Sequence, residues 1–356
     1  MNKNILHHVQ NALLCWYSDK KRNLPWRQEI SFYRVWVSEI ILQQTQVKQG
    51  LPYFERFIKR FPDYISLSKA SEKEVLKLWQ GLGYYTRAMN MHKAAKQIVD
   101  EFNGTPPQTF SEIKKLKGIG DYTAAAISSI VYNEPQVVVD GNVFRVLSRF
   151  FADATHIDTA KGKKQFAELA NKMMDKNNPG DFNQAMMELG ALVCKPQNPL
   201  CEQCPLKTWC KGQSEWQHFP VKLKKTKNRV RYFNYIIIKT NAGIIFRQRK
   251  HKDIYKNMYE PFLVETDKQR QKSKQFLYSE LKKWQVEGNL KLLFDYKKHI
   301  LTHQTIFFKT FILEAQNINT DRFFQQDYFF IPLKELNQYP VSNIVKKVLQ
   351  AYINND

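Results

Sequence analysis

Cys194, Cys201, Cys204 and Cys210 stand in a C-x6-C-x2-C-x5-C array within one short segment. Thiolates so close along a chain are placed to wrap a single soft-metal centre, and such sets hold iron–sulfur clusters. A structural zinc on four cysteines is the competing reading, although its spacing usually comes as two close pairs about a longer gap. Here one cysteine precedes a group of three, which favours one four-iron, four-sulfur (4Fe-4S) cluster. Two carboxyl groups form the second chemical pair. Glu39, in YRVWVSEIILQQTQ, has Val35 at i−4 and Leu42 at i+3, so it stands in the apolar stripe of a helix. Burial there raises its pKa and suits it to act as a general acid near neutrality. An edge-of-face glutamate in a salt bridge is the blander alternative. Asp140 follows Val137-Val138-Val139 and precedes the helical stretch GNVFRVLSRF. A helix amino terminus should keep it ionised, with a lowered pKa, although a plain N-cap also accounts for it. An acid beside an anion is the pairing expected for cleaving a glycosidic bond through an oxocarbenium-like state.

Those side chains need a scaffold. Up to about Asp181 the chain reads as successive amphipathic helices separated by short Gly- and Pro-marked turns, an all-α body. Within it, Thr109 and Glu112 have capping-box spacing for a helix running to Lys117, Gly118-Ile119-Gly120 make a tight turn, and a second helix starts near Asp121. This helix-hairpin-helix spans 109–131. With no side chains at Gly118 and Gly120, backbone amides can approach a DNA phosphate, and the next helix adds its positive end. An ordinary helix corner would look alike, since G-x-G alone is a weak signal. Asp121, a good N-cap, should turn into its helix and away from phosphate. Past the cysteines, Pro220 to Arg231 (PVKLKKTKNRVR) is basic and Gly-free, and reads as a linker. Alternation then takes over. Tyr232 to Thr240 and Ile244 to Arg247 flank Asn241-Ala242-Gly243 as a hairpin, and Thr305 to Leu313 is a further β-rich run. The expected organisation is a helical module over 1–193, a cluster segment over 194–219, a linker over 220–231 and an α+β domain over 232–356.

Composition points to the partner. With 356 residues and a formal charge of +22 the chain has room for two or three domains and favours a polyanion, nucleic acid being the economical choice. The amino terminus lacks an apolar signal core and no stretch approaches a membrane span, so a soluble protein without a membrane partner is expected. Four of five cysteines in one ligand array suit a reducing compartment, and Cys15 reads as a small apolar residue on an amphipathic helix.

These pieces resemble the helix-hairpin-helix DNA glycosylases that carry an iron–sulfur module, and within them the MutY-type adenine DNA glycosylases. The matching stretches are LPWR from Leu24, SEIILQQTQV from Ser38, GLGYYTRA from Gly81, LKGIGDYTAAAI from Leu116, VDGNVFRVLSR from Val139, FNQAMMELGALVC from Phe182, and the cysteine array. They span most of the first two-thirds of the chain. The resemblance implies removal of adenine mispaired with 8-oxoguanine, and also with guanine, from double-stranded DNA by a monomer in the nucleoid-containing cytoplasm. It assigns Glu39 as the acid that protonates a ring nitrogen of the flipped adenine, Asp140 as the carboxylate that stabilises the sugar cation, and Asn142 as a group bonding near that sugar. Tyr122 stands where related endonuclease III enzymes carry a lysine nucleophile, which implies a monofunctional enzyme, since no Schiff base can form without an amine.

Arg22, Leu24, Trp26 and Arg27 are similar to the family's adenine-pocket wall, and Gln184 to a polar group facing it. Gln44 and Tyr84 match intercalating residues, with Leu42 and Thr45 nearby; filling the gap offsets part of the few kcal/mol of base flipping. The last domain resembles a MutT-like (Nudix-type) domain that reads the opposite base, without a Nudix box and hence without nucleotide hydrolysis. Its Leu301-Thr302-His303 aligns with a Phe-Ser-His recognition loop and keeps only a hydroxyl and the histidine. The cluster is implied to shape a loop whose Lys195 and Lys207 meet phosphates. An endonuclease III-like glycosylase/lyase for oxidised pyrimidines and a non-catalytic DNA-binding protein are the alternatives; Tyr122 and the extra domain oppose the first.

Overall fold

The computed structural model describes residues 2–223, 229–250, 253–266 and 274–355. The chain divides into two compact units, one built from residues 1–69 and 90–225, the other from residues 70–89 and 226–356.

The first unit is helical. In chain order it holds α1 (Lys3–Lys20), α2 (Pro25–Gln28), α3 (Phe32–Leu42), α4 (Val47–Arg60) and α5 (Tyr64–Ser68); α6 (Glu72–Trp79) lies in the second unit, and α7 (Thr86–Glu101) begins there and returns. Then follow α8 (Phe110–Ile113), α9 (Asp121–Tyr132), α10 (Gly141–Phe151), α11 (Ala160–Met173) and α12 (Pro179–Leu192). Helical spacing decides what is buried. Val143, Val146, Leu147 and Phe150 of α10 pack with Phe182, Ala185, Met186 and Leu189 of α12 and with Val9, Leu13 and Tyr17 of α1. Each large apolar side chain so buried contributes roughly 1.5–3 kcal/mol, and the stripe fixes the rotation of α10 and α12 and therefore where their polar residues emerge.

The hairpin departs from its expected form in two details. Thr109 caps α8, its hydroxyl accepting from Glu112 N at 3.4 Å and donating to the Glu112 carboxylate at 2.9 Å, but the helix closes at Ile113 rather than at Lys117. Gly118 has φ +80°, and a Cβ there would fall 2.5 Å from Asn90 Cβ, so both backbone angle and space demand glycine. Gly120 is extended and exposed, and a Cβ there would meet nothing within 4 Å, so space alone does not demand glycine at that position. The N-cap of α9 is Gly120, not Asp121. Asp121 is the first helical residue; its carboxylate points outward and pairs with Lys114 at 2.5 Å, because the turn has already spent its last extended residue on the cap.

In the second unit six strands, β1 (Arg229–Thr240), β2 (Gly243–Gln248), β3 (Tyr259–Thr266), β4 (Val286–Ile300), β5 (Gln304–Ile318) and β6 (Tyr328–Ile331), form one mixed sheet in the order β4-β5-β1-β3-β2-β6. Only β1 and β5 among the neighbours run parallel. The expected hairpin is β1–β2, with Thr240 opposite Gly243. Helix α13 (Lys274–Lys283) covers one face and α15 (Asn343–Ile353) the other, while the short α14 (Thr320–Phe324) adds Phe323 to the first. Period two is visible in β1: Phe233, Tyr235 and Ile237 meet Ile344, Val345 and Val348 of α15, and Ile236 and Ile238 meet Leu277 and Leu281 of α13. Two covered faces explain why that strand reads as an almost unbroken apolar run. Residues 224–228 of the expected linker lie outside the described residues, and Arg229 to Arg231 already belong to β1. Arg231 is buried and pairs with Asp253 and Glu265, each at 2.6 Å.

Candidate active site

Glu39 projects from α3, a helix buried on nearly every side. The carboxyl is itself buried, and burial pushes its pKa up to about 7; the charge of Asp140 adds to that push, while a hydrogen bond from Tyr122 and the charge of Arg27 oppose it. Tyr122, at the start of α9, is held above its ordinary range by burial first and then by the fields of Glu39 and Asp140. Its hydroxyl also lies 3.5 Å from Met187 Sδ of α12. The acid, the phenol and the second carboxylate therefore share one electrostatic neighbourhood, contributed by α3, α9 and the start of α10.

Asp140 is the N-cap of α10. Its carboxylate accepts from Asn142 N, Val143 N and Asn142 Nδ2, all at 2.8 Å. The expectation of a lowered pKa fails. Burial outweighs these bonds and the Arg145 charge, and moves the group upward from its ordinary value. Asn142 Oδ1 in turn accepts from Arg145 Nη2 at 2.9 Å, and the same nitrogen reaches Gly190 O at 2.8 Å. Arg145 is a functional neighbour that the sequence marks only by its place three residues past Asn142 on α10.

A second cluster gathers residues matched to a base pocket. Leu24 and Trp26 are buried, Trp26 with its ring edge-on to Phe54 at 5.0 Å. Arg27 Nε donates to Gln184 Oε1 at 3.2 Å, and Arg27 Nη1 to Arg22 O at 3.2 Å. Both arginines converge on Glu188 of α12, absent from the expected site. Leu42 closes α3 and packs over Gly50, Thr45 sits just beyond it, and Gln44 is exposed with φ +57°, a strained angle for a non-glycine residue.

Tyr84 and Thr302 belong to the second unit and meet there: the two hydroxyls hydrogen-bond. Tyr84 is 40% exposed with φ +49°, while Thr302 and His303 are exposed in the β4–β5 turn. Nothing in linear spacing announces a contact between positions 218 residues apart.

The cysteines line one cavity with Arg149, Pro199, Lys207 and Trp216. Burial pushes the Cys204 thiol up to about 12, and Cys194, Cys210 and Cys201 push the same way, so four thiolates need a cationic centre to share their charge. Among the described residues no three Cys, His, Asp or Glu side chains meet as they would around one metal ion. A ring of donors about a cavity fits a multi-atom cluster better than a lone zinc. Arg149 completes the fit: Nη1 donates to Cys194 Sγ at 3.4 Å and to Lys195 O at 2.7 Å, and Nη2 to Pro196 O at 3.1 Å. Lys207 pairs with Glu202 at 2.5 Å. Cys204→Ser should cause loss of bound iron, of the cluster's visible absorbance and of several kcal/mol of stability, the scale on which structural metals act. Iron analysis and a melt of freshly purified protein check this.

Known proteins are similar along the same segments. The family described as HhH-GPD superfamily base excision DNA repair protein matches residues 37–172, and the iron-sulfur binding domain of endonuclease III matches residues 194–210. The adenine DNA glycosylase of Buchnera aphidicola subsp. Baizongia pistaciae is 35% identical over 307 residues, covering 83% of each chain. The chain belongs to the adenine DNA glycosylase family. As such it is a DNA glycosylase of base-excision repair with an iron–sulfur cluster on Cys194, Cys201, Cys204 and Cys210. The human adenine DNA glycosylase is 43% identical over 213 residues, 57% of this chain and 39% of the human one. A solved structure of a thermostable thymine-DNA glycosylase superposes with a TM-score of 0.54 at 25% identity, over 59% of this chain and 98% of its own. No helix among the described residues is long and apolar enough to cross a membrane.

Proposed function

We propose that this adenine DNA glycosylase family member hydrolyses the N-glycosidic bond of adenine opposite 8-oxoguanine, and more weakly opposite guanine, in duplex DNA, acting as a monomer in the cytoplasm. The observation that carries the chemistry is Glu39: a buried carboxyl with a pKa of about 7 beside the carboxylate of Asp140. Glu39 gives its proton to a ring nitrogen of the extruded adenine, the C1′–N9 bond breaks with its electrons passing to the base, and Asp140 stabilises the sugar cation until water adds. Asn142, donating to Asp140, keeps that carboxylate aimed. Tyr122 offers a phenol where a lyase needs an amine, which supports hydrolysis without strand cleavage. Arg22, Leu24, Trp26, Arg27 and Gln184 form the base pocket, and Leu42, Gln44, Thr45 and Tyr84 fill the duplex around the flipped nucleotide. The exposed turn at Gly120 and the αL glycine Gly118 take a backbone phosphate.

We further assign residues 232–356 as a MutT-like domain that reads the opposite base through Thr302 and His303. Its mixed sheet and the hydroxyl pair Tyr84–Thr302 support this. The deciding assay is single-turnover base release from a duplex with adenine opposite 8-oxoguanine, against adenine opposite guanine or thymine; retention of adenine in all three rejects the reading. Thr302→Ala should lower the preference for 8-oxoguanine over guanine roughly 5–10-fold, the worth of one or two neutral hydrogen bonds, while adenine opposite guanine is still cleaved. The ratio of the two single-turnover rates measures it.

A further inference from the structure

Arg27 bonds to both Gln184 and Arg22, and both arginines are in turn anchored on one buried carboxylate. Glu188 of α12 is 1% exposed and accepts four hydrogen bonds. Its Oε1 takes Arg22 N at 2.9 Å and Arg22 Nε at 2.7 Å, and its Oε2 takes Arg22 Nη2 at 2.7 Å and Arg27 Nη2 at 2.9 Å. Burial alone would drive this carboxyl up, but the bonds from both guanidinium groups overcome it and hold the pKa at about 2, so Glu188 is ionised near neutral pH. Removing either side of such an assembly leaves a buried, uncompensated charge.

Two consequences follow from the geometry. Arg27 reaches Gln184 with Nε. A guanidinium only donates, so the amide of Gln184 must turn its oxygen to Arg27, and its NH2 group is the part left to meet an acceptor on a bound base. Among the described residues, Arg27 is also a cation whose field acts on Glu39, alongside Tyr122 and Asp140. A bare guanidinium there would favour the ionised acid; one closed by Glu188 does so far less.

We propose that Glu188 is a positioning residue of the base pocket: it clamps Arg27 so that Gln184 presents its amide nitrogen to the base, and it offsets part of the Arg27 charge beside Glu39. The inference rests on the base-release reading above, and its test separates the two. In Glu188→Gln the shape is kept and the charge is lost. The pH above which single-turnover adenine release declines should then move down by about one pH unit, so the rate falls about tenfold at pH 8 and changes less than about threefold at pH 5.5. Arg27→Lys keeps the charge and the Glu188 partner but not the fork to Gln184. It should leave the pH profile in place and slow release evenly, and Glu188→Asp should recover most of the profile of the parent protein.

An infrared titration of the protonated Glu39 carbonyl band, assigned with Glu39→Gln, reads the same shift without turnover. If the parent protein cleaves and Glu188→Gln leaves both the infrared midpoint and the pH profile where they were, Glu188 has no such role. A loss of rate in Glu188→Gln that is equal at every pH and matched by lost iron or a lowered melting temperature also overturns it, as a packing effect. Were the parent protein to release no adenine while the infrared midpoint still moved, the base-release reading would fail and this electrostatic assignment would stand.

Discussion

Glu39→Gln is expected to slow adenine release by roughly 10²–10⁴-fold, the range over which a positioned general acid acts. The amide matches the carboxyl in shape but has no acidic proton, so binding of the duplex should be retained and the loss should fall on the chemical step. The parent protein carries its own control. Burial lifts Glu39 to about pH 7, so the proton is in place below that pH and is lost as pH rises through it; release should decline on the alkaline side of about pH 7. Stability follows the same sign. A carboxyl whose pKa is raised by folding contributes fully below its unfolded pKa, and that contribution disappears as pH rises through about 7. Glu39→Gln removes this dependence, so at pH 8 the variant should melt no lower than the parent. Single-turnover rates and melting curves across pH 5.5–8.5 test both halves; a variant that cleaves at the parental rate ends the case for Glu39 as the acid.

Much of this site was legible because its signals were local. Burial of Glu39 follows from Val35 and Leu42 one turn away on the same stripe, and the cysteine array needs only counting. β1 is also readable, since Tyr232 to Ile238 is rich in β-branched and aromatic residues, the composition of a strand buried on both faces. What escaped depends on partners distant in the chain. Glu188 looks like any helical glutamate until α12 packs against the segment holding Arg22 and Arg27, 166 and 161 positions earlier. Arg231 reads as linker in the sequence because a lone basic residue carries no sign of the carboxylates at Asp253 and Glu265 that admit it to the sheet. Residues 70–89 read as part of the helical body, yet Lys73 lies 3.6 Å over the ring of Tyr339, and Asn257 donates to Glu72 at 3.4 Å, in the second unit. Asp140 failed for a different reason. Cap geometry was inferred correctly from the helix start, but the balance between its hydrogen bonds and its burial depends on what surrounds it, and burial is the larger.

That balance sets the second large effect. Asp140 both caps α10 and supplies the anion, and two substitutions separate these roles. In Asp140→Asn one oxygen remains for the amides of Asn142 and Val143, while the new NH2 group opposes Asn142 Nδ2, which now donates to Asp140 Oδ2. Charge and part of the cap are lost together. Asp140→Ser places a good capping hydroxyl at the same position without charge, so it should melt close to the parent, whereas Asp140→Ala, which cannot cap, should lose about 1 kcal/mol of stability. Release should nonetheless drop by roughly 10²–10³-fold in both Asn and Ser variants, because a fixed charge facing a developing cation is the interaction removed. Since burial already biases this carboxyl towards its proton, release in the parent should also weaken at acid pH as Asp140 is neutralised, opposite in sign to the Glu39 limb. The pH profile is therefore expected to be a bell, with its alkaline side belonging to the acid and its acidic side to the anion; Asp140→Ser should flatten the acidic side alone, and an unchanged bell would deny Asp140 its part in the reaction.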